Sequence, residues 1–515
     1  MNGHSRREFL VDVGRGMMIA GVGATLASEL GISPVFAGES NKALSFGPME
    51  PLAALMQETP VDRLQSILVE KLRTGTPLRT LVTAGALANA RTFGGQDYDG
   101  YHTLMALMPA YEMSKLLPKD RRALPVLKVL YRNTSFIQRE GGRRSEVLHP
   151  VENVESVTEA NGKLLQQCLR RRDMDGAERI FAKLAGEDLK NAYNQLQYMV
   201  QEEIDVHQVV LAWRAWEILE ITGLQNAHTM LRQSVRHCVD RENRRVARGR
   251  PVPKIRTVLP QTLDQYGLLS RPLGTRSADD AWIDEFSDVI FRSSREQAAD
   301  AVGSALAEGF SPEVVGEAIS LAANRLLLQD PGRRSDDDRE KPRGSVHGAS
   351  IGVHASDSAN AWRHIARVTN HRNAVASLVV AGFHTAGREH RVSDRMFHTT
   401  DQMEKIRITD AKALLRETEE SIRSKDQARV CVLVDHYGSL DHSPKPLFDL
   451  LLKYAVSEDG ALHAEKYYRT VAEEFAMTRP AFRWRHLIAL ARVTASEYGH
   501  PAPGRDEARR LLGVS

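Results

Sequence analysis

Apolar side chains recur three and four positions apart along most of the chain, which is the period of an amphipathic α-helix. This spacing is seen at 61–72, 78–90, 208–221, 298–306, 313–328, 410–423, 446–456 and 465–475. Turn residues such as Gly75-Thr76-Pro77 separate neighbouring segments. Val430–Val434 is the one run that resembles a strand. The pattern predicts an all-α protein made of antiparallel helical hairpins, arranged as an α-solenoid or an α-toroid-like ring.

The helical pattern occurs twice, because the first half of the chain aligns with the second. Residues 72–89 align with residues 307–324, including the pair Ala88-Asn89 on Ala323-Asn324. Three histidines then fall on histidines, namely His102 on His354, His149 on His398 and His207 on His463. The sequence therefore predicts a tandem duplication of one multi-helix unit.

The alignment also sets the predicted domain boundaries. We expect one helical half at 60–240 and a second at 297–495, joined by a basic, proline-containing linker at 241–296 and followed by a C-terminal tail at 496–515. The second half carries an insertion at 329–350, which is charged and has no apolar period. Such a segment is typical of an exposed, poorly packed loop.

A finer repeat lies inside each half. Four histidines each stand at a predicted helix entry, just after a loop that contains Asp or Gly: His102, His207, His354 and His463. Ten residues after them stand Glu112, Glu217, His364 and Glu473. Four copies of one hairpin in a closed ring would bring these four histidines together.

Histidines in such a pattern are candidate metal ligands, because neutral imidazole is the commonest protein ligand for transition metals. His149-x-x-Glu152 and His398-x-x-Asp401 add a carboxylate one helical turn away. The predicted ligands or their partners are His102, His149, Glu152, His207, His354, His398, Asp401 and His463. Those predicted to act in catalysis are His102, His207, His354 and His463. The alternative is that the histidines are structural helix caps.

The N-terminus is typical of an exported protein. Ser5-Arg6-Arg7-Glu8-Phe9-Leu10 precedes a Gly/Ala-rich apolar stretch, and Val35-Phe36-Ala37 offers small residues for cleavage. Residues 1–37 resemble a twin-arginine signal, and the apolar run is too short to span a bilayer. We expect a periplasmic or otherwise exported protein that meets the twin-arginine export machinery and does not insert in a membrane after cleavage.

Composition excludes several classes of protein. The chain has 69 basic and 66 acidic side chains, a net charge of +3 that gives no general attraction to nucleic acid. Its three cysteines cannot build a disulfide framework. The stretch 241–256 is locally basic, and a nucleic-acid or lipid patch is the alternative there to a solvated linker. No dinucleotide, phosphate-loop, serine-hydrolase or zincin motif occurs.

The histidine-led helix starts Tyr101-His102-Thr103-Leu104-Met105 and Val353-His354-Ala355-Ser356-Asp357 resemble those of questin oxidase-like proteins. This family consists of all-helical oxygen-inserting enzymes of Baeyer–Villiger type. The resemblance covers short motifs scattered over residues 60–495, and it implies oxidative chemistry at the four repeated histidines. It also implies use of NADPH, which an exported protein could not obtain outside the cytoplasm.

These patterns favour an exported metal-dependent oxidoreductase that acts on a small organic molecule. Nitrogen and oxygen ligands without thiolate suit iron, and zinc accepts the same set. The alternative from another class is a helical-repeat binding or scaffold protein, in which the histidines would lie more than about 8 Å apart. A third hypothesis is a hydrolase that uses His/Glu pairs as acid and base.

Overall fold

The computed structural model describes residues 44–334, 343–346, 350–394 and 400–514, and in these ranges the protein is all-α. The described residues contain no β-strand, only the isolated bridges Arg276–Phe310 and Glu458–Pro501. Val430–Val434, the strand-like run, lies inside a helix. The predicted fold class is therefore confirmed at the level of an all-α protein.

The helices are numbered α1 to α24 in chain order. Their bounds are Glu50–Glu58, Val61–Arg73, Leu78–Phe93, Tyr98–Leu116, Leu124–Arg139, Gly162–Arg171, Met174–Glu187, Leu189–Val200, Val206–Glu217, Leu219–Thr222, Ala227–Ala247, Ile255–Gln265, Asp280–Arg292, Arg295–Ala307, Pro312–Leu328, Ile351–Val368, His371–Thr385, Thr400–Met403, Ala411–Arg423, Gln427–Ser439, Pro444–Ser457, His463–Met477, Trp484–Glu497 and Arg505–Leu512.

Four of these helices form a closed inner ring, with α4 against α9, α9 against α16, α16 against α22 and α22 against α4. Three of them begin at a capping side chain. Asp97, Asp205 and Ser350 accept hydrogen bonds from backbone N–H groups of the first turns of α4, α9 and α16. These caps satisfy donors that a helix leaves open at its start, so each helix begins at a defined residue.

A charged layer lies about ten residues into the inner ring. It is centred on Arg469 of α22, which contacts Glu217 of α9 at 3.1 Å and Glu473 of its own helix at 2.8 Å. His364 of α16 faces Glu473 at 3.1 Å, and Glu112 of α4 lies 3.8 Å from Arg469. The four positions that follow the repeated histidines by ten residues therefore meet in space, so the inner helices run parallel with matched levels.

The two halves contain the same number of helices of more than four residues between matched points. When the four-residue helices α10 and α18 are left out, nine described helices run from α2 to α11 and nine from α14 to α23. One hydrophobic core runs through both halves. The common origin of the halves stays a prediction from the sequence.

Three predicted segments differ from expectation. The linker 241–296 contains the end of α11 and the helices α12 and α13, and the tail 496–515 contains α24, which packs on α2 and α5. The described ends of the 329–350 insertion are packed, since Val346 is fully buried and its N–H bonds the Ser496 hydroxyl at 3.0 Å. Residues 335–342 and 347–349 of this insertion, and the predicted signal at 1–37, lie outside the described residues.

The three cysteines, Cys168, Cys238 and Cys431, are buried and free. Among the described helices, none combines the length and the apolar character needed to cross a membrane.

Candidate functional site

The four repeated histidines meet at the N-terminal end of the inner ring. Ring centres lie 4.8 Å apart for His102 and His207, 5.7 Å for His207 and His354, 5.7 Å for His354 and His463, and 5.3 Å for His463 and His102. Each imidazole thus neighbours two others, in the same cyclic order as the helices that carry them. We call these four residues the histidine cluster.

Two rings of the histidine cluster are oriented by backbone oxygens. The Nδ1–H of His102 faces the Tyr98 carbonyl at 2.6 Å, and that of His463 faces the Ala461 carbonyl at 3.1 Å. A proton on Nδ1 leaves Nε2 as the lone-pair nitrogen of a neutral imidazole. Both rings therefore offer Nε2 as a potential donor to a ligand.

His207 is oriented by a carboxylate. Its Nδ1 lies 3.5 Å from Asp205 Oδ1, and the other oxygen of Asp205 accepts from Arg241 Nη2 at 2.9 Å. Nε2 of His237 lies 3.8 Å from the same carboxylate. Although burial raises the pKa of Asp205, its interactions with His207 and His237 lower it well below the usual value. An ionised carboxylate behind a histidine is the usual outer partner of a metal-bound imidazole.

The Nε2 atoms of His102, His207 and His354 are buried and have no hydrogen-bond partner among the described residues. A buried polar atom without a partner costs free energy, so each such atom calls for an explanation. Three of them lie on neighbouring rings.

The cluster is held in its uncharged form. Burial lowers the pKa of His102 well below 6.5, lowers that of His207, and lowers that of His354 to about 3. The positive charge of Lys466 adds to this effect at all three rings. Their position in the first turns of helices, where the helix dipole is positive, also disfavours an imidazolium. Neutral imidazole is the state that binds metal.

Two further charged groups border the cluster. Lys466, three residues after His463, is buried, and burial lowers its pKa to about 8. Asp357, three residues after His354, accepts from the Thr470 hydroxyl at 2.7 Å, and burial raises its pKa. One ammonium and one carboxyl group therefore lie on the inner side of the rings.

Tyrosines cover the outer side of the cluster. The ring centre of Tyr98 lies 4.2 Å from that of His102 and 5.8 Å from that of His207, and Tyr98 is 53% exposed. Tyr101 is buried at 5.1 Å from His102 and 5.3 Å from His207. The histidines thus lie one aromatic side chain below the surface.

Local backbone constraints place two of the rings. Ala461 and Leu462, just before His463, have φ values of 46° and 66°, in the left-handed region that non-glycine residues seldom adopt. At Gly352, a Cβ would lie 2.2 Å from the Leu327 backbone, so only glycine lets α16 approach α15 this closely. Strained or crowded backbone of this kind is common at functional sites.

The other predicted ligands are not part of the cluster. His149 and Glu152 are exposed and lie in a non-helical segment, so the expected one-turn spacing on a helix is wrong for this pair. The carbonyl of His149 accepts from Arg232, which is a structural contact. His398 lies outside the described residues, and Asp401 falls in the short helix α18.

Sequence reasoning missed four groups beside the cluster: Asp205, His237, Asp357 and Lys466. His237 is buried, with its Nδ1 3.0 Å from the Gly95 carbonyl, and no motif in the sequence marks it. The signal for Asp357 was present, since His354-x-x-Asp357 has the same spacing as the His-x-x-Glu motif chosen at His149.

Metal ligation requires a small contraction of the cluster. Among the described residues, no group of three or more His, Cys, Asp or Glu side chains could hold a metal ion in the arrangement seen. With metal–nitrogen distances of about 2.0–2.1 Å, ring centres around one ion stand about 4.5 to 5.2 Å apart for square or tetrahedral geometry. The His102–His207 separation of 4.8 Å falls within this range, and the other three, 5.3 to 5.7 Å, exceed it by about 0.1 to 0.5 Å.

No family model, curated protein or solved structure matches the chain.

Proposed function

We propose that the histidine cluster binds one divalent transition-metal ion and that this centre supports oxidation of a small organic molecule outside the cytoplasm. The observation that carries the proposal is the set of three buried Nε2 atoms, on His102, His207 and His354, that have no partner in the described structure. A metal ion accepts several imidazole lone pairs at once.

The ring orientations of His102, His207 and His463 also support a metal site. Nδ1 of His102 and His463 is engaged by backbone oxygens, and Nδ1 of His207 faces Asp205. Outer contacts of this kind fix the ring and raise its basicity at Nε2. A helix-capping role would instead place each ring singly against its own helix end, without mutual contact.

The ligand set narrows the choice of metal. The four rings of the cluster offer nitrogen, the carboxyl groups beside them offer oxygen, and no cysteine is one of the four cluster residues. Such a set suits iron and also zinc. Iron, when bound, would supply redox chemistry, in keeping with the resemblance of the His102 and His354 segments to oxygen-inserting enzymes.

The chain's own groups have separate tasks in this proposal. Tyr98, half exposed above His102, excludes bulk water and admits a small molecule only when its ring swings aside. Lys466 and Asp357 hold protons on the buried side, where Thr470 orients the carboxyl group. These residues bind, shield and move protons around the centre.

The scaffold alternative predicts histidines more than about 8 Å apart, and the four ring centres are closer than that. Closed packing of the inner ring also leaves no open concave face there. We therefore favour a site over a set of independent caps.

The test is elemental analysis of the protein exported by its own N-terminal segment. We expect about one iron or zinc per chain, at least tenfold less in His354→Ala and His354→Gln, and unchanged content in His149→Ala, which removes an exposed histidine outside the cluster. Circular dichroism controls for folding. Absence of metal in the wild type, combined with no tight uptake of Fe²⁺, Co²⁺ or Zn²⁺ by the apoprotein, would overturn the proposal.

A further inference from the structure

A second site lies where the two halves of the chain join. A cavity of about 430 Å³ opens between the end of α11, the 248–254 loop and the first turn of α14. Its basic lining residues are Arg241, Arg244, Arg245, Arg248, Arg250, Lys254 and Arg295. Its acidic lining residues are Glu203 and Glu296. This volume is within the usual range for small-molecule sites, about 300–1,000 Å³.

Four of the seven cations are already neutralised. Arg245 pairs with Glu242 and Arg244 with Asp240, both at 2.6 Å. Arg241 pairs with Asp205, as described above. Lys254 pairs with Glu296 at 2.7 Å. The remaining three line the cavity without an ion pair among the described residues: Arg248, Arg250 and Arg295.

Arg295 is the most informative of the three, because it is more than half enclosed. No described residue forms a hydrogen bond or an ion pair with its guanidinium, which lies 5.9 Å from the Phe383 ring centre. Burial lowers its pKa, while the negative charges of Glu296 and Glu203 act in the opposite direction. A partly buried guanidinium without a hydrogen-bonded partner is costly, and an oxyanion in direct contact with it would reduce that cost.

The walls are apolar between the charges. Ile204, Val252, Ile255 and Phe383 line the cavity together with Pro251 and Pro253. A site for a bare inorganic ion needs no such surface. Nucleic acid would need stacking aromatic side chains, and the cavity offers one phenylalanine only.

We propose that this cavity binds a small organic molecule that carries an oxyanion, a carboxylate, sulfate or phosphate group. Arg295 and Arg248 contact the oxyanion, since guanidinium groups suit its geometry. Phe383 and the proline loop pack against the organic part.

The cavity shares a wall with the histidine cluster. Glu203 and Ile204 line it, and the next residue, Asp205, caps α9 and faces His207. The proposal nevertheless goes beyond the metal centre and does not rest on it, because the cavity residues and the cluster residues do not overlap.

Calorimetric titration at matched ionic strength tests the site with phenyl phosphate, inorganic phosphate and chloride. We expect phenyl phosphate to bind at least tenfold more tightly than inorganic phosphate, and chloride not at all. Arg295→Gln and Arg248→Gln should each weaken binding about tenfold. Arg416→Gln, an exposed arginine on α19 in the second half, should change it less than twofold.

Metal-free His354→Ala should bind phenyl phosphate as tightly as the wild type does. The anion site and the metal centre can therefore fail independently of each other. Equal affinity for both phosphates would refute the organic ligand. If phenyl phosphate does not bind, or if Arg416→Gln weakens its binding as much as Arg295→Gln does, the proposed site is refuted. An oligonucleotide that binds a hundredfold more tightly than phenyl phosphate would replace the proposal by nucleic-acid binding. Arg248 is exposed, so its variant answers the question even if Arg295→Gln does not fold.

Discussion

Asp205→Asn separates the support of the histidine cluster from the stability of the fold. The Asp205 carboxylate caps α9 by accepting from the Gln208 N–H at 3.0 Å, and it faces His207 and Arg241. Asparagine caps a helix about as well as aspartate, so the capping bond survives. The negative charge behind His207 is lost.

Two magnitudes follow. The fold loses a part-exposed ion pair with Arg241, worth roughly 0–1 kcal/mol, and a helix-dipole contribution of about 0.3–1 kcal/mol. We therefore expect a stability loss of about 0.3–2 kcal/mol. Loss of an outer carboxylate typically weakens metal binding about 10–100-fold. The affinity of the apoprotein for Zn²⁺ or Co²⁺ should fall by that factor.

A matched control is Asp279→Asn, because Asp279 caps α13 in the same way, accepting from the Trp282 N–H at 2.8 Å, at an exposed position away from any histidine. Urea unfolding and competitive metal titration give the two readouts. Metal affinity within twofold of wild type in Asp205→Asn, or an equal loss in Asp279→Asn, would refute the orienting role of Asp205.

Three further predictions concern packing and charge. Gly352→Ala should destabilise the protein by about 1–3 kcal/mol in thermal unfolding, because its Cβ would meet the Leu327 backbone. Gly186→Ala, with nothing within 4 Å, should be neutral or stabilising; the reverse order would contradict the packing argument. Burial raises the pKa of Glu497 to about 8. The folded protein thus keeps a proton that the unfolded chain releases near pH 4.5, so stability should fall as pH rises from about 4.5 to 8, by at most about 5 kcal/mol. When the urea midpoint is measured against pH, Glu497→Gln should show a smaller decrease over this range. An unchanged decrease would show that other groups cause the pH dependence. Arg469→Met should cost about 3–5 kcal/mol in urea unfolding, since it breaks the buried ion pairs with Glu217 and Glu473. A loss below about 1 kcal/mol would show that Arg214, which also faces both carboxylates, is enough to neutralise them.

The helical class and the meeting of four histidines could be predicted because both follow from periodicity. Apolar spacing fixed the α-helical assignment, and the position of His102, His207, His354 and His463 at equivalent helix starts implied one level of a ring. The residues ten positions later, Glu112, Glu217, His364 and Glu473, also meet at one level of the ring. Residues at equivalent positions of a repeat lie close together in space when the helices that carry them run parallel and start at the same level.

The error at His149 has a physical reason. The i, i+3 rule holds only on a helix, and the chain from 146 to 153 is non-helical. Spacing alone does not say whether a helix forms, and Pro150 next to His149 disfavours helical backbone at that residue. Asp357, three residues after His354, satisfies the rule on a helix, and Lys466 has the same spacing from His463 but carries no carboxylate.

The packed ends of the 329–350 insertion and the packing of the C-terminal helix α24 depend on partners distant in sequence. Val346 is held by Ser496, and α24 packs on helices of the first half. Such contacts leave no local pattern. The basic segment near Arg248 was predicted to be a linker because the sequence pattern does not record that its charged side chains line a cavity.

X-ray absorption at the metal edge tests the central claim most directly. For protein loaded with Fe²⁺ or Zn²⁺, the account predicts three to four imidazole nitrogens at about 2.0–2.1 Å from the metal, and loss of one imidazole in His354→Gln. A coordination shell of water and carboxylate oxygens, or a shell unchanged in His354→Gln, would contradict a metal centre at the histidine cluster.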